Sequence, residues 1–273
     1  QAIHTVENKE KVYYVGIKNV VQIPIELIRK LKVHGYELHT IDRCSINGRA
    51  IDMQLRNPIT GNPMTGSSSG TAINVFLGIN DLGIGTDGGG SVLAPAMSLQ
   101  CYGFISPKLE QEHMKKYKRD STDGLCFTPS LGFISRDLSV IKKAAEICLN
   151  LKENNAPVQI LYQKTIKEKL KQLGQVAEKA DIKADSLVFP DFDNRRDPMI
   201  DFLRKNLPKC DVLIGYEKKI DVNGMGDSIF GHFDEETQAM QLKSGKFFVR
   251  AVNMAGATAL CIPDTALASG YVL

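Results

Sequence analysis

The sequence is short of the features that mark several large functional classes. It has no apolar run long enough to span a bilayer, and its first residues, QAIHTVENKEKV, hold no apolar signal core. A protein without a membrane segment, resident in the cytoplasm, is expected. The chain opens on Gln rather than Met, which reads as a trimmed or processed end. Charge of one sign is scarce too: 34 Lys and Arg against 31 Asp and Glu leave +3, too little for a nucleic-acid surface. The six cysteines form no CxxC pair and no metal-ligand spacing. They read as reduced thiols, mostly in apolar settings, so neither a disulfide framework nor a metal site is expected. No cofactor is expected either. No internal repeat and no linker interrupts the 273 residues, which read as one domain over 1–273.

What is present is an ordinary globular composition, 43% hydrophobic and 24% charged, and one unusual concentration of glycine and serine. Within residues 65–95 lie Gly66-Ser67-Ser68-Ser69-Gly70 and Gly88-Gly89-Gly90-Ser91, separated by an apolar, small-residue segment. Such clusters bury little apolar surface, so packing does not account for them. Consecutive glycines free several backbone N–H groups to converge on one point, where they bind an anion or a developing oxyanion. A serine at the end of that loop is placed to be a nucleophile.

Around this stretch the chain alternates between strand-like and helix-like patterns. Strands are expected over 11–21, 36–41, 82–86, 158–162, 187–189, 211–214 and 258–263, with a closing strand over 270–273. Helices are expected over 26–33, 68–80, 165–180, 199–205 and 248–255, and from Asp137 to about residue 151, with Ser135 and Asp137 as N-cap residue types. Residues 42–63 read as irregular. Residues 108–123 are strongly charged and read as a solvated helix or insertion. The alternation argues for an α/β fold with helices on both faces of a sheet.

Gly85-Thr86-Asp87-Gly88-Gly89-Gly90-Ser91-Val92-Leu93-Ala94-Pro95 resembles the second half of the signature of the amidase signature family, and Gly66-Ser67-Ser68 resembles its first. The interval between Ser67 and Ser91 is also similar to the family's. Asn57-Pro58, Cys101-Tyr102-Gly103, Asp211-Val212-Leu213-Ile214 and Asn253-Met254-Ala255-Gly256 extend the resemblance over most of the chain, with 57–107 as its core. The resemblance implies a mixed central β-sheet covered by helices on both faces. It implies Ser91 as nucleophile, Ser67 as the bridging serine after a cis Gly66–Ser67 peptide, and Lys18 as general base. The backbone N–H groups of Gly88, Gly89, Gly90 and Ser91 would form the oxyanion hole. Met64, Thr65 and Leu93 are expected near the substrate, and Asp87 is expected to tie down the loop. The departures are Leu93 where most members have Arg, Gly88 where a bulkier residue is common, Asn19 where Asp is usual after the lysine, and a shortened interval between Lys18 and Ser67.

The chemistry implied is consistent with the residues at hand. A serine hydroxyl needs a nearby base, and none of His4, His34, His39, His113 and His232 sits in a recognisable catalytic motif. A lysine serves when burial lowers its pKa. The reading is a hydrolase that cleaves the C–N bond of a small-molecule carboxamide through an acyl-enzyme, with a homodimer left open. Two alternatives remain: a non-catalytic or ammonia-delivering subunit of an amidotransferase-like complex, and a dinucleotide-binding protein suggested by the GxGxxG match at Gly83, Gly85 and Gly88.

Overall fold

The computed structural model describes residues 11–121, 123–152, 156–166, 168 and 182–273. Its organising element is a buried strand, LGIGTD at Leu82–Asp87, in which no residue is exposed. A continuous run of apolar and small residues suits a strand covered on both faces. In chain order the strands are β1 (Tyr13–Lys18), β2 (Tyr36–Asp42), β3 (Ile51–Arg56), β4 (Pro63–Thr65), β5 (Leu82–Asp87), β6 (Tyr102–Ser106), β7 (Arg119–Asp120), β8 (Cys126–Phe127), β9 (Ser130–Ser135), β10 (Val158–Gln163), β11 (Ile182–Leu187), β12 (Val212–Glu217), β13 (Ala259–Pro263) and β14 (Gly270–Val272). The helices are α1 (Ile25–Lys32), α2 (Ser69–Phe76), α3 (Leu93–Ser98), α4 (Gln111–Met114), α5 (Leu138–Leu149), α6 (Arg196–Asn206) and α7 (Glu235–Leu242).

Ten strands form one sheet in the order β11-β10-β12-β14-β13-β6-β9-β5-β1-β2. Pairing is antiparallel through the middle, from β12 to β5, and parallel at each end. β3–β4 and β7–β8 form separate two-stranded ribbons. On one face, α1 and α5 bury Leu27, Leu31, Tyr36, Phe133, Val140 and Ala144. On the other, α2 and α3 pack Val75, Met97 and Leu99 into a cluster that also holds Phe248. Asp137 caps α5 by accepting from the Ser139 N–H at 2.8 Å, while Ser135 turns its hydroxyl onto the Asp81 carbonyl at 2.7 Å.

The sheet carries α2 unusually close to β5. A Cβ on Gly83 would stand 2.6 Å from the Thr71 methyl, and one on Gly85 would stand 2.5 Å from Ser68 Oγ. Only glycine permits that approach, which brings the start of α2 against the end of β5.

Three segments differ from the sequence expectation. The strand expected over 187–189 ends at Leu187 and begins at Ile182; it is the sheet's edge and mostly exposed, so its Lys, Asp and Ser hide the pattern. Residues 248–255 form one short 3₁₀ turn, Phe248–Arg250, followed by further turns. At the start of the turn the buried Glu217 carboxylate accepts the N–H groups of Phe247 and Val249 at 2.6 and 3.1 Å. The irregular stretch 42–63 contains β3, which pairs with the three-residue β4 in a ribbon outside the main sheet. The helix expected over 165–180 lies outside the described residues apart from Thr165, Ile166 and residue 168, with Lys164–Ile166 a 3₁₀ turn. All six cysteines carry free thiols. Among the described residues no helix is long and apolar enough to cross a membrane.

Candidate active site

The ends of β1 and β5 lie side by side because the two strands pair in parallel, Ile17 opposite Ile84. One residue further on, Lys18 points into the protein and is 3% exposed. Its Nζ lies 2.6 Å from Ser67 Oγ, 3.0 Å from Thr86 Oγ1 and 3.4 Å from the Thr86 carbonyl. Burial pulls the Lys18 pKa down to about 8, against the upward pull of Cys44 and Asp87; Arg119 adds to the lowering. An uncharged amine has two N–H groups and one lone pair. Here Thr86 offers two acceptors and Ser67 a hydroxyl, which matches that inventory.

Ser67 is itself buried and follows a cis peptide from Gly66. The next residue, Ser68, donates its N–H to the Ser91 carbonyl at 3.1 Å, which ties the two serine loops together. The Ser91 side lies at the end of a loop curled around one carboxylate. Asp87, fully buried, accepts the N–H groups of Gly89 (3.2 Å) and Gly90 (2.7 Å) on one oxygen and of Val92 (2.7 Å) and Leu93 (3.2 Å) on the other. Burial pushes its carboxyl above the ordinary aspartate range, and the backbone donors and Lys18 work against that rise. Gly90 adopts φ +97°, a left-handed conformation that favours glycine.

The curl has a consequence for the four N–H groups expected to converge on one anion. Those of Gly89 and Gly90 are engaged by Asp87. Those of Gly88 and Ser91 donate to no acceptor among the described residues. Asp87→Asn would leave one pair of N–H groups without an acceptor oxygen. It is expected to cost about 2–3 kcal/mol in urea unfolding, with loss of activity. Unchanged unfolding would show that these bonds do not hold the loop.

Gly88, Gly89 and Ser91 form one wall of a cavity of about 510 Å³. Its other walls come from places the sequence did not single out: Arg119 and Asp123 in the charged stretch, Arg196 at the start of α6, and Arg250 at the end of the Phe248–Arg250 turn. The charged stretch 108–123 is thus not only a solvated insertion. Its last residues are drawn in because Arg196 pairs with Asp123. Thr86 was missed as well; a threonine inside a strand carries no signal until its partner is seen. Met64, Thr65 and Leu93 do not reach the cavity. All three are fully buried, the first two in β4 where it pairs with β3, and Leu93 on the core side of α3. None of His34, His39 and His113 lines the cavity.

Residues 51–183 match the Amidase family's model. No curated protein matches the sequence. Solved structures with the same fold include one subunit of the glutamyl-tRNA(Gln) amidotransferase from Thermotoga maritima, at 16% identity and a TM-score of 0.59, covering 95% of this chain and 78% of that one. Kluyveromyces lactis allophanate hydrolase aligns at 14% identity and a TM-score of 0.59, over 96% of this chain and 58% of that one. An amidase family protein from Bacillus anthracis str. Ames aligns at 12% identity and a TM-score of 0.54, over 95% and 73%.

Proposed function

We propose that this chain is an amide-hydrolysing member of the Amidase family, whose model its residues 51–183 match, and that it cleaves small carboxamides through Ser91, Ser67 and Lys18 and an acyl-enzyme on Ser91. The observation that carries the reading is the buried Lys18 amine 2.6 Å from Ser67 Oγ, beside the glycine loop that ends in Ser91.

In this mechanism uncharged Lys18 gives its two N–H groups to Thr86 and accepts the Ser67 proton. Ser67 in turn accepts the proton of Ser91, whose oxygen attacks the amide carbonyl. The negative charge that develops on the carbonyl oxygen is met by the open N–H groups of Gly88 and Ser91. Each such donor contributes about 3–4 kcal/mol of barrier lowering in comparable sites. The proton returns by way of Ser67 to the departing nitrogen as the C–N bond breaks. Water then follows the same path in reverse order and releases the carboxylate. Asp87 shapes the loop and takes no part in proton transfer.

A serine-directed fluorophosphonate, followed by peptide mass mapping, tests the reading. An adduct on Ser91 is expected in the wild type and its loss in Lys18→Ala. An adduct that persists in the variant would move the base elsewhere. No adduct in a folded protein would remove the nucleophile assignment and favour a non-catalytic role within a larger complex.

A further inference from the structure

The cavity in front of Ser91 has more positive charge than it neutralises. Most of its cations are spoken for. Arg49 closes on Asp227, Arg195 on Asp197, and Lys246 on Asp221 at 2.5 Å. Arg196 gives Nε and one terminal nitrogen to Asp123. Its other terminal nitrogen, Nη1, stands 3.1 Å from the position a Cβ on Gly89 would take, directly beside the glycine loop.

Arg250 has no carboxylate within ion-pair distance among the described residues. One of its terminal nitrogens donates to the Asn194 backbone carbonyl and to Asn194 Oδ1, the latter at 2.7 Å. Its Nε is buried with no acceptor among those residues. Burial and the neighbouring Arg196 lower its pKa, while Glu217 and Asp123 oppose that. Arg119 also lacks a carboxylate partner among the described residues and lies over the Phe127 ring at 5.5 Å. The one acid of the described lining without a cation is Asp120, which is exposed, so two guanidinium groups without a carboxylate partner, Arg119 and Arg250, stand against one unpaired carboxylate. A guanidinium taken out of water without a counter-charge is costly, and a planar carboxylate satisfies it two bonds at a time.

We infer that the cavity selects amides whose acyl part carries a carboxylate a short chain away from the scissile carbonyl, held by Arg250 and Nη1 of Arg196, with Arg119 at the mouth. This deepens the hydrolase reading above and rests on it. The net reaction balances without a further reactant. The C–N bond breaks, a C–O bond to water's oxygen forms, and the nitrogen leaves with the proton, so a half-amide becomes a dicarboxylate and ammonia.

The test measures kcat/KM for the half-amides of succinic and glutaric acids against butyramide and valeramide, their uncharged counterparts. A preference for the half-amide of about 100-fold is expected, the size of a hydrogen-bonded charged contact. In Arg250→Gln and in Arg196→Gln the ratio should fall by about 10-fold or more. Equal turnover of charged and uncharged amides, or a ratio unmoved in both variants, would overturn the inference. Calorimetric titration of the wild type and of Arg250→Gln with succinate and glutarate supplies an arm independent of turnover. Binding that weakens in the variant supports the site, and no binding to the wild type counts against it. If the serine–lysine chemistry itself is wrong, no amide turns over and no fluorophosphonate adduct forms, yet this arm still returns its answer.

Discussion

Replacing Ser91 with alanine is expected to lower amide turnover by about 10⁴-fold or more while leaving the fold intact. The size follows from what the hydroxyl does in the proposed route: without it no acyl-enzyme forms, and what remains is binding plus the open N–H groups of the loop. The intact fold follows from what holds the loop. Asp87 bonds the backbone of residues 89–93, and the Ser91 carbonyl accepts from Ser68; neither uses the Ser91 hydroxyl. Activity and urea midpoint should therefore separate, one collapsing and the other staying within about 0.5 kcal/mol. If turnover survives, the nucleophile is another group. If both fall together, Ser91 is structural.

The second large effect is on the pH profile. Lys18 titrates near 8 in the folded protein because burial disfavours its ammonium form. The base is the uncharged amine, so kcat/KM should rise with pH through about 8, losing close to tenfold per unit below it. Lys18→Met keeps much of the side-chain volume and removes the amine. It is expected to lower kcat/KM by about 10³-fold and to flatten that limb. The sign for stability runs the other way from an ordinary salt bridge. Between about 8 and the ordinary lysine value of 10.5 the unfolded chain holds more protons than the folded one, so this group makes the fold more stable as pH rises. Below 8 the folded protein carries the whole cost of a buried ammonium, and Lys18→Met should relieve it. A pH profile with the same midpoint in the variant would assign the limb to another residue.

The two serine loops and the lysine strand were legible because their residue types serve no packing purpose. A Gly-Gly-Gly-Ser run and a Gly-Ser-Ser-Ser run stand out of any core pattern, and Asp87 could be given its tethering role from its place before the loop. The sheet was legible where strands are buried on both faces, as at β5 and β12, and illegible at the exposed edge β11, where burial imposes no pattern. The cavity wall was the least legible part. Arg119, Asp123, Arg196 and Arg250 come from three separate segments, and each looks like a solvent-facing charge until the chain brings them together. Thr86 was hidden for the opposite reason. It sits in a strand that any small or apolar residue would suit, and only the position of the Lys18 amine gives its hydroxyl a task. Glu217 escaped because its task, accepting the N–H groups of Phe247 and Val249, joins segments some thirty residues apart in sequence.

The parallel pairing of β1 with β5 sets an order of events as the chain matures. Lys18 and Thr86 become neighbours only when two strands distant in sequence lie together, with α1, β2, β3, β4 and α2 between them along the chain. Pairings that close such long loops form late and slowly, since the chain entropy must be spent before the contacts return it. A partly folded chain can therefore hold a formed glycine loop with an inert Ser91, its proton acceptor not yet in place. Reactivity appears with completion of the sheet, so recovery of fluorophosphonate labelling during refolding would time the closing of β1 on β5.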